Sequence, residues 1–222
     1  MDSPNGVSIV RNKKLENSIK GLVNLYTVVI GAALSIAVVG VINVNDGLAS
    51  VSGASVMLFM AFVFTLFPFF HGALRHLDDA YLENNSAHIK RSALVIDFSL
   101  LFLHALSFLA LSQLLKRPVD FVWLLGVVLS IDVVWGLFTV HGASSKKTGA
   151  TPQQTKEPFS AEAKWTMINS AFIALCGLYL IGNDIYPGSV VDNTKIALMV
   201  MISCAVRSSV DYIWCREIYF PK

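Results

Sequence analysis

Six runs of about 20 apolar residues, each with its few charges gathered toward one end, divide this chain, and they constrain its fold more than any motif does. They are Gly21 to Val44, Ala54 to about Leu77, Ser92 to Leu115, Val119 to Val140, Trp165 to Gly182 and Lys195 to Cys215. A helix rises 1.5 Å per residue, so roughly 20 residues cross a hydrocarbon core of about 30 Å. Composition agrees: of 222 residues 55% are hydrophobic and 14% charged, and the mean hydropathy is +0.61. A soluble domain carries about 25% charged residues. The runs predict an all-α, polytopic transmembrane bundle of about six spans, with four or five as the alternatives, and the lipid bilayer as its main solvent.

The segments between the runs predict the organisation. Residues 1–20 form a basic N-terminal segment, with apolar residues interspersed loosely enough for either a short interfacial helix or disorder. The first run is longer than a signal-peptide core and no small-residue cleavage pattern follows it, so this segment is expected to stay attached. A four-helix part, 21–140, comes next. Pro68 removes one backbone hydrogen bond inside the second span and predicts a kink before His71. Asn84, Asn85 and Ser86 supply turn chemistry. Lys116, Arg117 and Pro118 leave room only for a tight turn, making the third and fourth spans an antiparallel hairpin. Residues 141–164, rich in Gly, Ser, Thr, Gln and Lys, read as a flexible polar loop. A two-helix part, 165–215, and a tail, 216–222, complete the chain.

Thirteen of the 17 Lys and Arg residues fall on the side of the N-terminus, the second link, the long loop and the tail. Lys116, Arg117 and Lys195 fall opposite, and Arg207 lies within the sixth span. By the positive-inside rule both termini and the long loop are expected in the cytoplasm, with a bacterial cytoplasmic membrane as the location. A net charge of +2 with no concentrated basic face argues against nucleic acid. Cys176, Cys204 and Cys215 lie in apolar segments without metal-ligand spacing, which predicts neither a disulfide framework nor a metal site.

The ionisable residues inside the spans are the candidate site. Counted from the nearest cytoplasmic helix end, Asp97 is about 8 Å deep. His71, Arg75, Asp132, Arg207 and Asp211 share that half of the membrane, and His104 approaches the middle. An isolated charge facing lipid costs several kcal/mol, so these positions predict one shared polar layer joining the second, third, fourth and sixth helices. His71, Arg75 and Asp78 follow helical spacing, as do Ser203, Arg207 and Asp211. Within the layer, His71, Asp97, His104 and Asp132 are the candidates for a proton or ion pathway. Arg75, Arg207 and Asp211 are assigned to charge pairing, and Asp78, Asp79 and Glu83 to a cytoplasmic acidic face. Three deep aspartates against two arginines call for one proton, on His71 or on a carboxylate whose burial raises its pKa. The structural alternative is a static network that fixes helix register, with Arg75 and Asp78 snorkelling at the interface.

Other motifs carry less. The run Asp78 to Glu83 resembles, in its first two positions, the DDxxD metal sites of membrane prenyltransferases, but its fifth residue is Leu82 and no second run occurs. His71, His76 and His88 beside Asp78 and Asp79 are too few for the histidine-rich membrane hydroxylases. Nucleophile elbow, phosphate loop and zinc-protease patterns are lacking, so no catalytic residue and no cofactor are assigned. Gly126, Gly136 and the surface from Gly31 to Ser35, with Gly40, predict close helix packing, the last of these serving equally a neighbouring subunit. The resulting expectation is a gated ion or proton pathway, with a homo-oligomer as one form it can take. Its rival is a membrane-embedded sensor or anchor, such as a bacterial stress or defence effector, docking a cytosolic protein partner through residues 141–164 and the two terminal segments.

Overall fold

The computed structural model describes residues 4–45, 48–83, 91–144, 161–185 and 193–220. Within them the chain is an all-α bundle: α1 (Pro4–Val41), α2 (Gly53–Leu77), α3 (Arg91–Leu111), α4 (Pro118–Ser144), α5 (Ala161–Ile185), α6 (Asn193–Trp214) and the short α7 (Arg216–Tyr219). Six of these helices are long and apolar enough to cross a membrane, from Glu16–Val41 through Asn193–Trp214. Their outward faces carry Val28, Val39, Phe138, Leu178 and Ile213, each at least two-thirds exposed, as lipid contact requires.

Several boundaries differ from the sequence reading. The basic N-terminal segment is not a separate element, because α1 runs unbroken from Pro4 into the first span. That span stops at Val41, and Ile42–Asn45 (β1) pairs antiparallel with Leu48–Val51 (β2). Register places Ile42 opposite Val51 and Asn45 opposite Leu48 on either side of Asp46 and Gly47. An Asp-Gly pair between short β-prone runs is a hairpin signal that the apolar periodicity masked. The fifth helix starts four residues before Trp165, and Lys164, assigned to the loop, is a buried residue of α5. Residues 141–144 likewise belong to α4. The remainder of the proposed docking loop, 145–160, and the turn residues 84–86 lie outside the described residues.

Helices pair as α2 with α6, α4 with α5, and α1 with α3. Small residues set the α4–α5 approach: a Cβ on Gly126 would meet Cys176 at 3.9 Å, and one on Gly136 would collide with the Thr166 hydroxyl. Gly40 packs near the Ser112 carbonyl, whereas Gly31 faces open space. At the hairpin end the core is filled by Leu58, Phe62, Phe108, Phe121 and Leu125. The opposite end, where α2, α4 and α6 finish and α3 and α5 begin, holds the buried charges. There α2 passes into one turn of π-helix, Asp78–Glu83, a form that recurs at functional sites.

Candidate functional site, a buried polar network at the charged end

In place of one layer there are a buried cluster, a half-buried cluster around Asp97 and two peripheral groups. The deeper cluster spans α4, α5 and α6. Counted from the ends of their spans at Phe138, Ala163 and Trp214, Asp132, Asn169 and Arg207 all sit about 9 to 11 Å deep. All three are almost fully buried, as are His104 and Asp211.

Asn169 occupies the centre. Its Oδ1 accepts two hydrogen bonds from Arg207, from Nε at 2.9 Å and Nη2 at 2.5 Å, while its Nδ2 donates to Asp132 Oδ2. The amide thus turns its acceptor to the guanidinium and its donor to the carboxyl oxygen, the one orientation that satisfies both. Arg207 Nη2 also lies 3.8 Å from Asp211 Oδ2, one helical turn on. The guanidinium sits over the Phe69 ring, 4.9 Å from its centroid, in a cation–π contact. Asp211 Oδ2 accepts a 3.0 Å hydrogen bond from the Tyr219 hydroxyl, which lies 3.5 Å from the Pro68 carbonyl. On the inner side, His104 Nε2 stands 3.9 Å from Asp132 Oδ1.

Tyr219 belongs to α7, outside the spans, and ties the tail into this network. Burial first, and then Asp211, raise the pKa of its phenol, so it stays a donor. Gly72 makes room for it: a Cβ there would touch Tyr219 and Trp165, each at 3.6 Å. Cys215, at the hinge between α6 and α7, is buried, and its thiol is pushed up to about 12 by burial and by Asp211. The charges of Lys164 and Arg207 act in the opposite direction.

The second cluster surrounds Asp97. Tyr81 donates to its Oδ2 at 2.5 Å, His76 Nε2 approaches the same oxygen at 3.3 Å, and Trp135 Nε1 donates to Oδ1 at 3.2 Å. Burial, followed by this bond, raises the pKa of the Tyr81 phenol. Trp135 is the divider between the clusters, with its ring 4.8 Å from His76 and 6.1 Å from both His104 and Trp165.

Neither Asp97 nor Asp132 has a Lys or Arg one turn away on its own helix, yet other elements supply three partners to Asp97 and an amide to Asp132. His71 joins neither cluster; its ring packs among Tyr212, Tyr219 and Phe220 at 5.0 to 6.0 Å. Arg75 pairs with Asp78 at 3.8 Å near the surface. Asp79 and Glu83 belong to the π turn, but their side chains lie outside what the structure describes.

Counting charges missed Asn169, Tyr81, Trp135 and Tyr219. For Asn169 there was a signal, an amide in an otherwise apolar span, which needs a partner there as surely as a charge does. The three aromatics had none, since a tyrosine or tryptophan near a span end ordinarily reads as an interfacial anchor. No group of three or more His, Cys, Asp and Glu side chains able to hold a metal occurs among the described residues. Comparisons with family models, with curated proteins and with solved structures each found no match to this chain.

Proposed function

We propose that the protein is a membrane-embedded sensor or anchor whose tail reports the state of a buried polar network to the cytoplasmic side. The observation that carries this reading is the continuous run of contacts from His104, in mid-span, through Asp132, Asn169, Arg207 and Asp211 to Tyr219 on α7. Such a run makes the seating of α7 depend on groups about 10 Å inside the membrane. The hairpin end favours this reading over a standing conduit. Its interior is closed by Phe62, Phe108 and Phe121, and the polar residues buried toward that end, Ser55, Thr65 and Ser112, are hydroxyls. Thr65 and Ser112 bond to carbonyls of their own helices.

A gated proton or ion pathway is the second reading. It is favoured by the facing of His104 Nε2 and Asp132 Oδ1, two titratable groups in mid-membrane without hydrogen-bond partners at those atoms. Under either reading, the charged end faces the cytoplasm and copies of the chain are free to associate through exposed helix faces such as that of Gly31.

Purified protein in proteoliposomes separates the two. The sensor reading expects no flux above that of empty liposomes under a pH gradient or voltage. It also expects a soluble protein to co-purify with wild type and to be lost on removal of residues 216–222. Flux that loses its pH dependence in Asp132→Asn would overturn it in favour of the pathway.

A further inference from the structure

Six buried side-chain atoms among the described residues have no hydrogen-bond partner. Five belong to the network or to its aromatic surround: His104 Nε2, Asp132 Oδ1, Arg207 Nη1, Asp211 Oδ1 and Trp165 Nε1. Trp165 adjoins the network through Phe69, whose ring lies 6.1 Å from the indole and beneath Arg207. Buried polar atoms are almost always satisfied, because each left unpaired loses its hydration with nothing in return, and a charged one loses most. Five such atoms around one junction point to a ligand that completes them.

Their chemistry selects that ligand. Arg207 Nη1 and Trp165 Nε1 can only donate, whereas a carboxyl oxygen of Asp132 or Asp211 accepts. A metal cation would answer the carboxylates and be repelled by the guanidinium, while an anion would do the reverse. A small neutral molecule that both donates and accepts answers all of them. The 3.9 Å between His104 Nε2 and Asp132 Oδ1 lets one oxygen stand at about 2.8 to 3.0 Å from both.

We infer that the junction of His104, Asp132, Arg207 and Asp211 is a binding site for internal water, with one molecule bridging His104 to Asp132 and others completing Arg207, Asp211 and Trp165. This goes beyond the proposed function and holds under either reading of it.

Radiolytic hydroxyl labelling tests the site on the full chain in lipid nanodiscs, because water bound inside a protein is split where it sits and oxidises the side chains beside it. Phe69 is expected to be oxidised at least several-fold faster than Phe62 and Phe121, which are as enclosed in the apolar end. A membrane-impermeant radical scavenger is expected to leave that difference intact. His104→Leu should reduce labelling of Phe69 several-fold. Should that variant not fold, Asp132→Asn, which keeps the bridging geometry, should retain wild-type labelling. Labelling of Phe69 no faster than of Phe62 would overturn the inference. So would its suppression by the scavenger, which would mean open access to bulk solvent. A melting temperature that falls when sodium or chloride is replaced by a bulky organic ion would assign the site to an ion instead.

Discussion

Asn169 on α5 takes two hydrogen bonds from the guanidinium of Arg207 on α6, at 2.9 and 2.5 Å, and passes its own amide hydrogen to Asp132 on α4. A neutral side chain therefore stands between a buried guanidinium and a buried carboxyl group, and it ties α4, α5 and α6 together at one register. Because α5 and α6 otherwise touch sparingly, this amide is a principal tie between them.

Removing it tests that role. Asn169→Leu strands two donor atoms of Arg207 and one oxygen of Asp132 in a site without bulk solvent. Losing a partner from a buried charged group costs about 3 to 5 kcal/mol. Thermal unfolding in detergent should show a large loss of stability, while Ser170→Ala, one residue along on an exposed face, should leave the melting temperature unchanged. Equal stability of the two variants would mean that Arg207 finds other partners.

The thiol of Cys215 gives a pH-dependent readout of tail seating. Its pKa is raised from 9.0 to about 12, so in the folded protein it remains neutral at pH 8 and is enclosed besides. Alkylation by a maleimide should be at least tenfold slower than for an exposed cysteine, and Tyr219→Phe, which loses the bond to Asp211, should speed it. Stability follows the same sign. The contribution of the neutral buried thiol is fully present below about pH 9 and is lost as pH rises toward 12. Replacement by serine would remove this high-pH loss, and an unchanged profile would show that Cys215 does not report the tail.

Gly72 predicts a graded response. A Cβ there meets Trp165 and Tyr219 at 3.6 Å, an ordinary contact, so Gly72→Ala should fold and seat its tail as wild type does. Gly72→Leu drives further carbons into the same space and should lift α7 off α2, seen as faster Cys215 alkylation with α-helical content preserved. Slow alkylation in Gly72→Leu would mean that α5 moves instead.

Orientation is tested by single cysteines in a chain lacking Cys176, Cys204 and Cys215. With the charged end cytoplasmic, Lys147→Cys should react with an impermeant maleimide only after the membrane is opened, and the exposed Lys116→Cys from outside. The reverse pattern would invert the topology.

Hydropathy and length were enough to read the bundle, because a chain in lipid must satisfy its backbone within each segment and only a helix of about 20 residues does so. That requirement is local, and it placed the six membrane-crossing stretches to within about five residues, although not the extension of α1 back to Pro4 or the hairpin. The charged residues were equally legible as needing burial, since lipid penalises each of them regardless of its neighbours. Which groups would meet was not legible. Asp97 and Asp132 both lie near the charged end of neighbouring helices, yet Trp135 stands between their surroundings, with Asp97 turned toward Tyr81 and Asp132 toward Asn169. His71 shares a helical face with Arg75 but faces the tail rather than the network. Partner choice depends on the rotation of each helix about its axis and on how closely Gly72, Gly126 and Gly136 let neighbours approach. Those variables are set by packing between helices far apart in the chain, which only the tertiary structure decides.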